Sequence, residues 1–155
     1  MGRIAAVLAC VAALLVGCDD VSRTGPHLSI VAPKDWQRVT VTSPVRFAAV
    51  DPLHVARISI VETRVPKSLS FQRFSQNEEK EIALTTRARD LQVREAHLPG
   101  GRALHVTYSL RSKAVRQYFV RRGEFLYVLT LTSVPARASH YASIFERSVR
   151  TFRLR

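Results

Sequence analysis

The stretch EFLYVLTLTS, residues 124–133, decides the fold class of this 155-residue chain. In an extended strand, successive side chains point to opposite faces of the sheet. One face of this strand carries four large apolar side chains: Phe125, Tyr127, Leu129 and Leu131. The other face begins with Leu126 and Val128 and continues with two threonines. A strand that is apolar on both faces is typical of the centre of a sheet that is covered on both sides.

The segments before this strand predict further strands joined by tight turns. Alternating residues indicate strands at 90–98 and 102–110 with Pro99-Gly100-Gly101 between them. Glycine adopts the positive φ of a hairpin turn at little cost, so the pair Gly100-Gly101 predicts a hairpin. A third strand at 114–122 leads through Gly123 into the central strand. Because all these connections are short, the strands are expected to run antiparallel.

Two predicted helices supply the covering layers. The last one, at 138–150, has an apolar face made of Tyr141, Ile144, Phe145 and Val149. An earlier helix at about 68–80 begins at Ser68, a residue type that caps first turns. Its cluster Glu78-Glu79-Lys80-Glu81 is interpreted as a solvated helix face, with a cation or partner site as the alternative. Shorter strands are predicted at 28–31, 44–50, 55–63 and the terminal TFRLR.

The order of these elements resembles the PsbP-like fold, which includes DcrB-type bacterial lipoproteins and the extrinsic PsbP protein of photosystem II. The resemblance is carried by Trp36, by the Pro-Gly-Gly hairpin and by the stretch QYFVRRGEFLYVLTLTSVPARASHYASIFERSVRTFRL, residues 117–154. It implies an α+β fold, an antiparallel β-sheet covered by helices on both faces (a PsbP-like α/β/α sandwich). It also implies binding and accessory roles, and it carries no catalytic residue over to this chain.

The N-terminus has the pattern of an export signal. A basic start, Met-Gly-Arg, precedes an apolar stretch at 4–16 that is too short to span a bilayer. The sequence Leu15-Val16-Gly17-Cys18 resembles the bacterial lipobox, which implies lipidation of Cys18 and cleavage just before it. Asp19 resembles an inner-membrane sorting signal, while an outer-membrane location stays open. The predicted organisation is a lipoprotein signal peptide at 1–17, a lipidated N-terminus and linker at 18–26, and one sandwich domain at 27–155.

The charge of the chain is strongly positive. It has 24 Lys and Arg against 12 Asp and Glu, a net charge of +12. For an exported protein the expected polyanions are lipid headgroups and acidic envelope polymers, so no nucleic-acid partner is predicted. The densest basic region is the candidate anionic-surface contact: Arg111, Lys113, Arg116, Arg121 and Arg122. The alternative is a compositional excess of arginine spread over a solvated surface.

The sequence carries no recognisable catalytic motif, and no cofactor or metal site is predicted. His97 and His105 are expected to face each other across the hairpin, where a pair could bind zinc or sense pH, but no third ligand lies near. Asp51 and Asp90 are interpreted as turn or cap residues. Neither Ser133 nor Ser139 lies in a Gly-x-Ser-x-Gly context.

These observations predict a lipid-anchored bacterial envelope lipoprotein with a non-enzymatic binding or accessory domain. Its expected partners are the membrane, to which the N-terminal lipid anchors the protein, and anionic headgroups or an envelope protein complex. Two alternatives stay open. One is a small periplasmic ligand-binding protein or enzyme with a pocket between sheet and helix, and the other is a structural subunit of a membrane complex.

Overall fold

The structure is a computed structural model that describes residues 27–155. The predicted signal peptide, the lipidated Cys18, Asp19 and the linker lie outside the described residues. The described residues form nine strands and two helices, in chain order β1 (Leu28–Ser29), β2 (Gln37–Arg38), β3 (Val45–Val50), β4 (Ala56–Arg64), α1 (Phe71–Thr85), β5 (Arg89–Leu98), β6 (Gly101–Ser109), β7 (Ala114–Arg122), β8 (Phe125–Ser133), α2 (Ala138–Val149) and β9 (Arg153–Leu154). A short 3-10 helix, Pro135–Arg137, leads into α2.

Seven strands form one antiparallel sheet in the order β2-β3-β4-β8-β7-β6-β5, and β1 pairs with β9 beside it. Strand β8 lies at the centre, with Leu129 opposite Ile60 of β4 and opposite Tyr118 of β7. The fold is α+β, an antiparallel sheet with a helix on each face, as the two-sided apolar pattern of residues 124–133 predicts.

Each face of the sheet buries its own core. On one face Tyr127, Leu129 and Leu131 pack with Tyr141, Phe145 and Val149 of α2. On the other face Leu126 and Val128 pack with residues of α1 such as Phe74 and Ile82. The alternation that the sequence predicts for β8 is therefore confirmed. Burial of large side chains on both faces stabilises the sandwich at about 25 cal/mol per Å² of apolar surface.

Helix α1 differs from its predicted range. It begins at Phe71, because Ser70 and not Ser68 accepts a hydrogen bond from Arg73 N (3.2 Å) at the N-cap position. It continues to Thr85 because Ile82 is fully buried against the sheet. Phe74, Glu78 and Ile82 follow one another at four-residue steps and share one side of the helix. Glu78 is half-buried on that side, so the prediction that the whole acidic cluster faces water is wrong.

The first and last described residues lie near the turn of the β5–β6 hairpin. Leu98 pairs with Gly101, so the turn consists of Pro99 and Gly100. Gly100 is buried, and a Cβ atom there would lie 2.8 Å from the Phe152 ring. Phe152 precedes β9, whose partner β1 follows His27 directly. The described chain therefore begins and ends near this turn, at the end of the sheet where β7 runs into β8.

Within residues 27–155, no helix is long and apolar enough to cross a membrane.

Candidate functional site

A groove of about 260 Å³ lies on the α2 face of the sheet, between the edge strand β5 and the start of α2. We call it the polar groove and define it by six residues that line it: Asp90, Gln92, Thr107, Ser109, Arg116 and Ser133. Across the strands, Gln92 is opposite Thr107, and Thr107 is opposite Arg116. In the next row, Ser109 is opposite Ala114, and Ala114 is opposite Ser133. Cross-strand partners share a face of the sheet, so these side chains converge.

The groove exists because the sequence places small side chains on this part of the sheet. Beneath the body of α2 this face of the sheet carries large apolar residues, whereas at the groove it carries Ser109, Ala114 and Ser133. Ala138 and Ser139, at the first turn of α2, form one wall. On the opposite side, a bulge between Arg89 and Gln92 bends β5 and places Asp90 at φ 54°. Bulges of this kind re-aim side chains at sheet edges.

A hydrogen-bonded network of charged side chains adjoins the polar groove. Arg94 Nε donates to His105 Nδ1 (2.8 Å), so the proton of the neutral imidazole resides on Nε2. Arg116 Nη1 lies 3.1 Å from Glu146 Oε1 and 3.3 Å from His105 Nε2. The Tyr118 ring stacks on His105, and the Tyr118 hydroxyl donates to the Glu146 carboxylate (2.8 Å). The network fixes the Arg116 guanidinium at the groove.

The environment of His105 keeps its ring neutral. Burial, together with the positive charges of Arg116 and Arg94, lowers the pKa of His105 to about 4, and the Glu146 carboxylate opposes the shift. The side chain is almost fully buried. His105 therefore acts as a hydrogen-bond acceptor for arginine and carries no charge at neutral pH.

The sequence matches no protein-family model and no curated protein. Solved structures do resemble it. LpqN, involved in cell envelope biogenesis of Mycobacterium tuberculosis, superposes with a TM-score of 0.65 at 17% identity, over 86% of this chain and 87% of that one. The cyanobacterial PsbP protein of Synechocystis gives a TM-score of 0.60 at 13% identity, over 91% of this chain and 99% of that one. This chain has the PsbP-like fold.

A third neighbour shows how widely this PsbP-like architecture is used. The Ran-binding protein Mog1p of Saccharomyces cerevisiae superposes with a TM-score of 0.57 at 10% identity, over 82% of this chain and 89% of that one. All three identities are low, so they establish the fold alone, and function has to be argued from the residues of this chain.

The predicted histidine pair does not form in the PsbP-like domain. His97 pairs with Arg102, and His105 pairs with Arg94. Arg102 covers the Phe71 ring of α1 at 4.4 Å, whereas His105 stacks on Tyr118 beneath α2. The two histidines therefore lie on opposite faces, because the real turn shifts the register by an odd number of residues. In the described part of the chain, no group of three or more His, Cys, Asp or Glu could hold a metal ion.

The five basic residues of the predicted surface contact occupy three separate places. Arg111 and Lys113 are exposed in the β6–β7 turn, and Arg116 lies in the polar groove. Arg121 and Arg122 lie at the other end of β7, about 25 Å away at the usual rise of a strand. The structure therefore does not bring them together as one patch.

Arg121 has a structural role that the sequence does not reveal. Its guanidinium donates to the carbonyl oxygens of Pro66 (3.0 Å) and Lys67 (3.2 Å), and also to that of Leu69. Its Nε donates to Gly123 O (2.9 Å). Arg121 thus ties the loop before α1 to the β7–β8 turn, while the adjacent Arg122 is exposed.

Arg122 lies at the end of the sheet where the described chain begins. His27 O accepts a hydrogen bond from Arg155 N (2.9 Å), so the first and last described residues are adjacent. Phe152, three residues earlier, packs at Gly100, and the Val120 side chain lies within 4 Å of the same position. Arg122 follows Val120 by two residues toward the turn. We call this region, with Arg122, Arg155 and the β7–β8 turn, the N-terminal end of the domain.

Proposed function

We propose that this chain is a bacterial envelope lipoprotein, anchored by lipid on Cys18, whose PsbP-like domain supports another envelope component without catalysis. The observation that carries the proposal is the sequence Leu15-Val16-Gly17-Cys18, placed nine residues before His27, the first residue that the structure describes. The structural similarity to LpqN, involved in cell envelope biogenesis, agrees with an envelope role. Two or three acyl chains are needed for stable tethering, since one chain binds only marginally.

The length of the linker limits the distance between the domain and the membrane. Residues 18–26 span at most about 30 Å when fully extended, because an extended chain advances at most about 3.6 Å per residue. The domain would therefore stay close to the membrane surface, with its N-terminal end toward the lipid. Arg122 and Arg155 would then meet anionic headgroups, each contributing about 1 kcal/mol near such a surface. Arg111 and Lys113 would face away from the membrane.

The state of residue 18 in the cell tests the proposal. The chain is expressed in a bacterium with its own N-terminus, extracted from membranes and measured by intact-mass spectrometry. We expect a chain that begins at Cys18 and carries diacylglycerol, and a Cys18→Ser variant without that added mass. An unmodified chain that retains Met1 would contradict the proposal.

A second candidate is a ligand-binding protein that uses a pocket between sheet and helix. The polar groove favours this second candidate, because the groove is a concave site with several convergent polar groups. The two candidates are compatible, since a tethered domain can hold a ligand.

A further inference from the structure

The polar groove presents groups that both donate and accept hydrogen bonds. Gln92 has an amide, and Thr107, Ser109 and Ser139 have hydroxyls. Each such hydroxyl or amide offers a donor and an acceptor at one position. A ligand that carries hydroxyl groups on a ring matches this set, because each of its hydroxyls can donate to one side chain and accept from another.

The charges at the groove balance one another. Two arginines, Arg116 in the groove and Arg94 beside it, are matched by two carboxylates: Glu146, whose Oε1 lies 3.1 Å from Arg116 Nη1, and Asp90 at the β5 side. A phosphate or carboxylate ligand would meet Asp90 and would have to compete with Glu146 for the guanidinium. The electrostatics therefore favour a neutral ligand, to which Arg116 and Asp90 offer a strong donor and a strong acceptor.

Ser133 supplies an independent observation. Its side chain is 3% exposed, and its hydroxyl has no hydrogen-bond partner among residues 27–155. Its position opposite Ala114 and Ala56 directs it to the α2 face, and it lines the groove. A buried hydroxyl without a partner is unfavourable, because it has lost its hydrogen bonds to water. A ligand hydroxyl at the base of the groove would provide the missing partner.

The groove has room for about one ring of a ligand. Ligand pockets usually begin at about 300 Å³, and the volume here, about 260 Å³, lies just below that range. Leu131 and Ala114 on the floor offer an apolar contact for the C–H face of such a ring.

We infer that the polar groove binds a single neutral saccharide unit, held by Gln92, Thr107, Arg116 and Ser133. This inference rests on the proposed function in that it names the envelope component which the domain would bind. The saccharide could be a free sugar or the terminal unit of an envelope glycan, since both present the same ring hydroxyls.

The experiment is an NMR titration of the full chain, ¹⁵N-labelled and held in a zwitterionic detergent without a sugar headgroup. The probes are free glucose, galactose, mannose and N-acetylglucosamine, and the methyl glycosides of the same four sugars. We expect at least one probe to shift the Gln92 side-chain amide and the backbone amides of Thr107 and Ser133, with a Kd of about 1–10 mM. A preference for the methyl glycoside would indicate a glycan terminus, and a preference for the sugar with a free anomeric hydroxyl would indicate a free sugar.

Matched variants test the named contacts. Thr107→Val and Ser133→Ala should each weaken binding of the best probe by about fivefold or more. Thr132→Val is the control, because Thr132 precedes Ser133 on β8 and its side chain lies on the opposite, α1 face of the sheet. The Thr132→Val variant should bind the best probe with the affinity of the wild type. Ser133→Ala should at the same time raise the melting temperature of the free protein, since it removes the unpartnered hydroxyl.

Two results would overturn the inference. One is the absence of shifts at the groove with every sugar and glycoside up to about 50 mM, a concentration that would saturate a millimolar site. The other is saturation of the groove by inorganic phosphate in place of sugar. Either result leaves the mass of the chain at Cys18 unaffected, so failure of the saccharide site is distinguishable from failure of the lipid anchor.

Discussion

The Tyr141 hydroxyl donates a 2.7 Å hydrogen bond to Asp51 Oδ2, which joins helix α2 to the loop between β3 and β4. Asp51 is 1% exposed, and its carboxylate also accepts hydrogen bonds from the backbone amides of Leu53, Val55 and Ala56 at 2.6–3.1 Å. Burial by itself would raise the pKa of Asp51, but these four hydrogen bonds outweigh it and lower the pKa. The interpretation of Asp51 as a turn residue is confirmed, and the turn is anchored to α2 as well.

Replacement of Asp51 should therefore destabilise the whole domain. Asp51→Ala leaves three amides and the Tyr141 hydroxyl without an acceptor, and we expect a loss of about 3 kcal/mol of unfolding free energy. Tyr141→Phe removes one of the four hydrogen bonds and should cost about 1.5 kcal/mol. Urea denaturation followed by circular dichroism measures both. An Asp51→Ala variant as stable as the wild type would show that the carboxylate does not hold the loop.

The low pKa of His105 predicts a loss of stability in acid. The folded state holds the ring neutral down to about pH 4, whereas the unfolded chain takes up a proton near 6.5. The contribution of His105 is thus complete above pH 6.5 and declines, by up to about 3 kcal/mol, as pH falls toward 4. His105→Gln keeps an acceptor for Arg94 but does not titrate. The stability difference between wild type and His105→Gln should change across pH 4–6.5, and a difference independent of pH would contradict the prediction.

Glu78 should show the opposite pH dependence. Burial, with a further contribution from the charge of Glu81, raises the pKa of Glu78 to about 7. The folded protein therefore binds this proton more tightly than the unfolded chain does, and the favourable contribution is complete below about pH 4.5 and lost as pH rises through 7. Glu78→Gln should raise the melting temperature at pH 8 relative to the wild type and change it little at pH 4.5. The exposed Glu79→Gln variant, one residue along α1, should shift neither value.

Arg121 and Arg122 offer a neighbouring pair for separating structure from charge. Arg121→Ala releases three carbonyl contacts at the loop before α1 and one at the β7–β8 turn, and should cost about 2 kcal/mol of unfolding free energy. Arg122→Ala removes the same charge from an exposed side chain and should change stability by less than about 0.5 kcal/mol. Equal effects in thermal unfolding would mean that the carbonyl contacts of Arg121 contribute nothing.

The sandwich could be predicted from the sequence because its signal is local. The alternation in residues 124–133 reports both faces of β8, and residues 114–122 give the bounds of β7 as the structure has them. The hairpin register could not be fixed, since Pro99-Gly100-Gly101 allows turns that differ by one residue. The Arg94–His105 contact and the polar groove could therefore not be predicted, because both depend on which residues are opposite one another in the sheet. The sequence does not reveal the role of Arg121 either, because three of its four carbonyl partners lie more than fifty positions away in the chain.

The orientation of the domain on a membrane gives the last prediction. A chain that begins at residue 19, and so lacks the lipid, should bind vesicles containing anionic lipid through its N-terminal end. Arg122→Glu reverses a charge at that end and should weaken binding by about fivefold or more at low salt, with the difference shrinking at high salt. Lys113→Glu makes the same change of net charge at the opposite end of β7 and should have a smaller effect. Binding is measured by co-sedimentation, with neutral vesicles as the baseline. If the two variants lose affinity equally, the net charge of the domain and not its orientation governs attraction to the membrane.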